Sequence, residues 1–317
     1  MFKTEICDLL GIDVPILQGA MQGGGGARLA ATVSEAGGLG VLPTFQSTDD
    51  KLRSDIRAVR AATSKPFGVN VMPMGRGITE RCVATCIELS VPVVTTGRAD
   101  PGEAAVRKLK DAGIKVVSVI PAVEHARRME SEGVDAVVAS GTEAGGHVGT
   151  IATMPLVPQV VDAVSIPVLA AGGIGDGRGF VAALALGACG IQMGTRFMAT
   201  PESGMNAWGR EQLLSMRETD TIVTRSMTGA TVRCIRTPEI EAYERALSEG
   251  ASEDELAQLK RAVRKSRNTD YAARRQSAAG QVAGMIVDEK PTAQLMVEML
   301  EEARRIIEQR LTMALAR

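Results

Sequence analysis

Residues 167–198 carry the sequence PVLAAGGIGDGRGFVAALALGACGIQMGTRFM. A near-continuous apolar run, 167–173, leads into glycines, then into a segment with helical spacing, and then into a second apolar run, 190–198. Apolar runs without alternation are typical of strands that are buried on both faces of a parallel sheet. The stretch therefore predicts a strand–helix–strand unit with a glycine-rich turn after each strand.

The same alternation extends back to the start of the chain. Helical segments lie between the apolar runs, and several of them end in glycine, as helix C-caps do. Eight strand–helix units with right-handed crossovers can close into a TIM (β/α)8 barrel, which is the fold class we predict. A doubly wound open sheet is the alternative, because periodicity does not reveal closure. The eight predicted strands are 14–19, 39–43, 66–72, 92–97, 114–121, 135–141, 167–173 and 190–198.

The pattern breaks after the eighth predicted strand. Residues 201–284 are richer in charge and include ERALSEGASEDELAQLKRAVRKSR, which predicts one or two solvated helices. We interpret 201–284 as a smaller, mostly helical substrate or lid domain inserted after strand 8. The barrel then comprises 1–200 and 285–317, and its last segment is an amphipathic helix that packs back on it.

Composition excludes several classes of protein. The 317 residues are 45% hydrophobic and 23% charged with a net charge of −1, so the chain folds and has no general basic field for nucleic acid. The sequence contains no stretch of 18 uncharged apolar residues, so it does not predict a membrane-spanning helix. Five scattered cysteines fit reduced, buried thiols better than disulfides or a metal site. We expect a cytoplasmic enzyme with a small-molecule substrate; its oligomeric state, for which a homodimer is one option, is not determined by the sequence.

Glycines follow both of the last two predicted strands, where TIM barrels commonly bind phosphate. The backbone N–H groups of Gly172, Gly173, Gly194 and Thr195 are suited to surround such a group, with the Thr195 hydroxyl as a further donor. Neither G-x-G-x-x-G nor G-x-x-x-x-G-K-[ST] occurs. The ligand is therefore predicted to be flavin mononucleotide (FMN) or a sugar phosphate.

Of the two histidines, His147 is the candidate for proton transfer. It stands in SGTEAGGHVG, just after the sixth predicted strand, whereas His125 lies in the charged helix VEHARRME and is expected on the surface. Histidine exchanges protons near neutral pH, and the flanking glycines leave room for a ligand. Asn70 ends the third strand and Glu143 precedes the glycines, so both are candidates for ligand contacts, although an ordinary salt bridge is nearly as good an interpretation of Glu143.

Five motifs together resemble the nitronate monooxygenase family, formerly called 2-nitropropane dioxygenase. The family also contains the flavin-dependent enoyl-ACP reductase II and some NAD(P)H:quinone reductases. The similarity runs from the first strand to the terminal helix, with the motifs in order. They are PILQGAM at 15–21, PFGVNVM at 66–72, SGTEAGGHVG at 140–149, PVLAAGGIGDGRG at 167–179 and IQMGTRFMAT at 191–200.

The resemblance implies an FMN-binding TIM barrel and assigns roles to individual residues. His147 would be the active-site acid or base. Glu143 and Gly145 would lie beside the ribityl chain and the ring edge, and the glycines after strands seven and eight would hold the phosphate. Residues implied to meet the isoalloxazine are Gly19, Ala20, Met21 and Asn70, with Ser277 and Gln281 returning to it from SAAGQVAG.

The resemblance leaves the reaction open among related redox activities. Oxidation of alkyl nitronates with O2 is the leading expectation, followed by NAD(P)H-dependent enoyl-ACP reduction and then quinone reduction. A sugar-phosphate lyase or isomerase is the non-flavin alternative. One departure concerns the pocket: Gly23 to Gly26 follow Gln22 where these enzymes often have a bulky residue, so we expect a more open or more mobile wall.

Overall fold

The computed structural model describes residues 2–44, 47–72, 76–97, 101–269 and 278–315. Parallel strands alternate with helices along the first two thirds of the chain. The strands are β1 Ile16–Gln18, β2 Gly40–Pro43, β3 Phe67–Val71, β4 Val93–Thr96, β5 Lys115–Ile120, β6 Ala136–Ser140, β7 Gly146–His147, β8 Val168–Ala171, β9 Gly190–Met193, β10 Thr221–Thr224 and β11 Val232–Ile235.

The helices flank these strands. They are α1 Glu5–Leu10, α2 Ala27–Glu35, α3 Asp49–Ala62, α4 Arg76–Glu88, α5 Glu103–Asp111, α6 Val123–Ser131, α7 Thr153–Val161, α8 Gly177–Ala185, α9 Thr195–Met198, α10 Ala207–Leu214, α11 Pro238–Ser248, α12 Glu253–Thr269, α13 Thr292–Arg305 and α14 Thr312–Leu315. A 3-10 helix, Gln281–Met285, precedes α13, and a π-helical segment, Ile306–Leu311, links α13 to α14.

Eight strands form one parallel sheet in the order β1-β9-β8-β6-β5-β4-β3-β2. Leu17 of β1 also forms a parallel bridge with Leu39, just before β2, so the two ends of the sheet meet. The Gln18 amide strengthens this seam, because its Nε2 donates to the Val41 carbonyl at 2.9 Å and its Oε1 accepts from the Val41 N–H. The predicted TIM barrel is therefore confirmed, with all eight predicted strands.

The eighth strand is shorter than predicted. It ends at Met193, and Gly194 (φ −115°, ψ −71°) turns the chain into α9, which begins at Thr195. The predicted strand 190–198 was therefore wrong over its second half. A continuous apolar run does not distinguish a buried strand from a buried helical turn, because both bury every side chain.

Strand register separates two hydrophobic layers. Leu17, Val41, Val117 and Leu169 point into the barrel, while alternate residues point outward and pack against the helices. Helix α1 places Ile6, Cys7 and Leu10 in the inner cluster, and therefore fills the amino-terminal end of the barrel. The carboxyl ends of the strands are left as the accessible mouth.

The segment after β9 adds a small sheet that the sequence did not predict. β10 and β11 form an antiparallel hairpin, and β11 also pairs with β7, in the loop that follows β6. The expected solvated helices are α11 and α12, which pack on the hairpin through Met227, Cys234, Ile240 and Val263. This part of the chain is thus both helical and stranded, and it is hydrogen-bonded to the barrel mouth.

All five cysteines are free and buried. Burial raises the pKa of the Cys86 and Cys189 thiols to about 12, so they are protonated and unreactive at neutral pH. Across the described ranges, the structure has no helix with the length and apolarity that a bilayer crossing needs.

The contact between α2 and β2 gives a test of the packing. A Cβ atom on Gly40 would lie 1.8 Å from the Ala30 carbonyl oxygen. Gly40→Ala should therefore destabilise the fold by about 3 kcal/mol or more, beyond ordinary overpacking, since backbone must move. Urea unfolding measures this. The control is Gly77→Ala in the first turn of α4, where a Cβ atom meets nothing closer than 3.5 Å; equal stability of both variants would contradict the packing.

Candidate active site

The barrel interior becomes polar at the mouth. Asn70, Thr95, Ser140 and Gln192 are the last inward-facing residues of β3, β4, β6 and β9, as their register with one another and with Ala171 shows. Asn70 is 5% exposed, and its Nδ2 donates to Thr95 Oγ1 at 3.0 Å. The floor of the site is thus built from uncharged amides and hydroxyls.

Gln192 is a site residue that the sequence reasoning missed. Its side chain makes no hydrogen bond to the part of the chain that the structure describes, and its amide nitrogen lies 3.5 Å from where a Cβ of Gly19 would be. The signal that would have found it is the alternation of side chains along a strand. Ile191 and Met193 belong to the outer layer, so Gln192 between them faces the interior.

The two glycine loops lie side by side, because β8 and β9 are neighbours. Gly172 (φ +95°) and Gly173 (φ +75°) have backbone conformations that favour glycine. Within the described ranges, the N–H groups of Gly172, Gly173, Gly194 and Thr195 donate to no protein acceptor. Adjacent free donors at the start of α9 fit a terminal phosphate group.

Glu143 serves as a helix cap. Its two carboxylate oxygens accept from the Thr153 N–H at 3.0 and 2.9 Å, at the start of α7, and from Thr153 Oγ1 at 3.0 Å. Thr153 Oγ1 also lies 3.0 Å from the Gly172 carbonyl oxygen. Glu143 therefore joins the loop after β6 to the loop after β8, and within the described ranges it forms no salt bridge. A cap and a ligand hydroxyl can share one carboxylate, since each oxygen has two lone pairs.

Residues 278–281 return to the mouth and contact both loops. The Gly280 N–H donates to Thr195 Oγ1 at 3.0 Å, and the Gln281 N–H donates to the Glu143 carbonyl at 2.9 Å. Gly145 is packed so closely that its Cβ would lie 2.7 Å from the Ala279 carbonyl carbon. The Gln281 side chain is exposed. Ser277, the other expected ring contact in this segment, lies outside the described residues.

His147 is exposed at the mouth and forms β7 together with Gly146. It pairs with Val232 of β11, so the inserted segment holds its backbone. Ala20 is exposed at the end of β1, between the buried Gly19 and Met21. His125 lies on α6, outside the sheet, and is half-buried, whereas the sequence suggested a surface position.

The Gly23 to Gly26 run is a tight turn. The Gly25 N–H donates to the Met21 carbonyl at 2.7 Å, and the Gly204 N–H donates to the Gly24 carbonyl at 2.9 Å. A Cβ on Gly204 would lie 2.7 Å from the Gly23 carbonyl oxygen. The part of the pocket wall formed by Gly23 to Gly26 therefore has no side chains, but its backbone is held in place by hydrogen bonds.

Arg233 on β11 is a second residue that sequence reasoning missed. It is 7% exposed, and its Nε donates to the Thr142 carbonyl at 2.7 Å. Burial lowers the pKa of the guanidinium, and the nearby charge of Glu143 partly opposes this effect. No sequence motif marks Arg233, because its contact with residue 142 depends on the pairing of two distant strands.

A TIM barrel with glycine loops after its last two strands, a neutral polar floor and a histidine at the mouth is typical of flavin-dependent oxidoreductases. The family model for nitronate monooxygenase matches residues 3–80 and 74–302, and the chain belongs to this family. Members of the family are flavin-dependent, and the protein is accordingly an oxidoreductase. The non-flavin lyase alternative is excluded by this membership.

Three relatives illustrate the range of the family. The structure of FabK from Thermotoga maritima is 40% identical, with a TM-score of 0.89, over 98% of each chain. A probable nitronate monooxygenase of Staphylococcus aureus is 37% identical over 75% of this chain and 80% of its own length. A (3aS,4S,5R,7aS)-5-hydroxy-7a-methyl-1-oxo-octahydro-1H-indene-4-carboxyl-CoA dehydrogenase of Rhodococcus jostii is 40% identical over 76% of this chain and 68% of its own length.

The proposed phosphate position can be tested by charge. Gly173→Asp should abolish flavin binding, since a carboxylate there adds bulk and like charge where a phosphate would sit. Flavin content of the purified variant, measured by absorbance after unfolding, reads the effect. Gly133→Asp is the control, because Gly133 has a similar φ of +89° but is far along the chain from the site and has open space around it. Full flavin occupancy in folded Gly173→Asp would place the phosphate elsewhere.

Proposed function

We propose that the protein is an FMN-dependent, NAD(P)H-using reductase of α,β-unsaturated thioesters, as in the enoyl-ACP reductase FabK. The similarity to FabK carries this proposal, because it extends over 98% of both chains and therefore includes the inserted segment and the return segment beside the mouth. Those segments border the site and so shape what it admits. A nitroalkane oxidase of Streptomyces ansochromogenes also matches over 95% of this chain, but it is less similar, with 32% identity and a TM-score of 0.81.

The cofactor assignment rests on the two glycine loops. The N–H groups of Gly172, Gly173, Gly194 and Thr195 would hold a terminal phosphate, and the ring would lie toward Gly19, Ala20, Met21 and Asn70. Glu143, Gly145 and Gln281 would border the ribityl chain and the ring edge. FMN, when bound, supplies a ring that accepts and donates hydride. FMN is favoured over FAD because no dinucleotide fingerprint occurs.

His147 supplies the proton chemistry in this proposal. Reduction of an enoyl thioester adds a hydride at the β-carbon and a proton at the α-carbon, with NAD(P)H as the source of the two electrons. An exposed imidazole at the mouth can hold and deliver that proton. The neutral floor of Asn70, Thr95 and Gln192 offers hydrogen bonds there without a competing charge.

Oxidation of alkyl nitronates with O2 is the second candidate. The family model and the Staphylococcus aureus relative support it. Here His147 would remove a proton from the α-carbon of a neutral nitroalkane or orient the preformed nitronate. The two reactions differ in electron donor, which makes them separable by experiment.

The first test concerns the cofactor and its electron donor. Mass spectrometry of the released cofactor should identify FMN, and anaerobic mixing with NADH or NADPH should bleach the flavin. Bleaching by an alkyl nitronate and by neither nucleotide would favour the second candidate. FAD, or no flavin, would contradict the cofactor assignment.

The second test concerns His147. His147→Ala should retain flavin, since its proposed contacts come from other residues, but lose about 100- to 10,000-fold in turnover, the usual scale for general acid–base catalysis. His125→Ala serves as the control and should remain near wild type. With nitroalkanes, the loss should be larger for the neutral substrate than for the nitronate, because only the former needs a proton removed. Small, equal losses would assign the proton transfer to another group.

A further inference from the structure

Arg233, a buried cation of the inserted segment, is hydrogen-bonded to the loop that carries His147. In the antiparallel pair of β11 and β7, Arg233 stands opposite Gly146. Side chains of directly opposed residues project to the same face of a sheet, and Gly146 has none. The Arg233 side chain therefore leaves the sheet on the side where Gly146 offers no side chain, and it reaches past β7 to the Thr142 carbonyl.

The guanidinium joins the loop after β6 to the hairpin of β10 and β11. Arg233 Nε donates to the Thr142 carbonyl at 2.7 Å, and Nη1 donates to Thr221 Oγ1 on β10 at 3.1 Å. Thr142 is the second residue of the loop after β6, and its N–H donates to the Ile151 carbonyl at 2.8 Å. One side chain thus links the start of the loop to both strands of the hairpin.

The opposite face of the same sheet carries the histidine. His147 pairs with Val232, the neighbour of Arg233, and the next residue, Val148, donates its N–H to the Thr231 carbonyl at 3.1 Å. Side chains alternate between the two faces along a strand. A change in the β11–β7 register would therefore turn the His147 side chain to a different direction relative to the mouth. A two-residue strand has few ladder bonds to resist such a change.

We propose that Arg233 is the positioning residue for His147, in that its bond to Thr142 sets the register between β7 and β11. The proposal rests on the proposed role of His147 as the proton-transfer group. Lysine cannot replace arginine fully, because its single ammonium lacks the planar fork that reaches two acceptors in different directions. Misplacement of a reacting group by about 1 Å can cost about 100-fold in rate.

Hydrogen exchange tests the positioning directly, without any assay of turnover. In the purified flavoprotein, the backbone amides of residues 141–149 should exchange hydrogen at least about 10-fold faster in the Arg233→Met variant than in wild type. This is the change expected for a lost local hydrogen bond worth about 1.4 kcal/mol. Arg236→Met is the matched control. Arg236 follows the same strand and donates to the Thr219 carbonyl at 3.2 Å, but it is exposed and does not reach the loop.

Steady-state kinetics with an enoyl thioester and NAD(P)H test the consequence. Arg233→Met should lower kcat by roughly 10- to 100-fold with flavin content retained and KM changed less than about threefold, because a misplaced acid or base affects the reacting state more than binding. Arg233→Lys should recover part of kcat, and it replaces the methionine variant in both experiments if that variant does not fold.

Exchange rates and kcat at the wild-type level in Arg233→Met would overturn the proposal. Parallel losses of kcat, flavin and stability in both variants would overturn it as well. If wild-type protein turns over neither enoyl thioester nor nitronate, the proposed function fails, while loop exchange still reports on Arg233.

Discussion

Closure of the barrel between β1 and β2 is the constraint on which the site depends. The seam is short: the Gln18 N–H donates to the Leu39 carbonyl, the Leu39 N–H donates to the Ile16 carbonyl, and the Gln18 side chain adds two bonds to Val41. Only when this seam is closed do the carboxyl ends of β1, β3, β6, β8 and β9 surround one mouth. An open sheet would spread the same loops along an edge.

Within that mouth, hydrogen bonds between neighbouring loops fix the loop conformations. Thr153 and Glu143 join the loops after β6 and β8, while Gly280 and Gln281 join the loops after β6 and β9. The bonds of Gly280 and Gln281 use backbone N–H groups and bring residues 279–280 against the backbone of 143–145, which accounts for glycine at 145 and 280. The site is therefore rigid where a phosphate would bind and exposed where His147 and Ala20 face solvent.

The sequence predicts the barrel well, because each barrel strand is a near-continuous apolar run between helical segments. It also places His147 and the glycines at the mouth, since their positions follow from strand ends alone. It does not predict β7, β10 and β11: the first has two residues, and its pairing joins segments about 85 positions apart. Gln192 and Arg233 were missed for related reasons. Finding Gln192 requires the strand register, and finding Arg233 requires the pairing of β11 with β7.

The pairing of β11 with β7 has a consequence for how this enzyme can be altered. The inserted segment looks like a module that could be exchanged to change the substrate, but one of its strands completes a sheet with the loop of His147, the residue proposed to transfer the proton. A chimera that imports a foreign segment must therefore import a matching 142–148 loop as well. If the proposed roles of the two segments hold, substrate choice and reaction geometry are inherited together, as one unit of recombination.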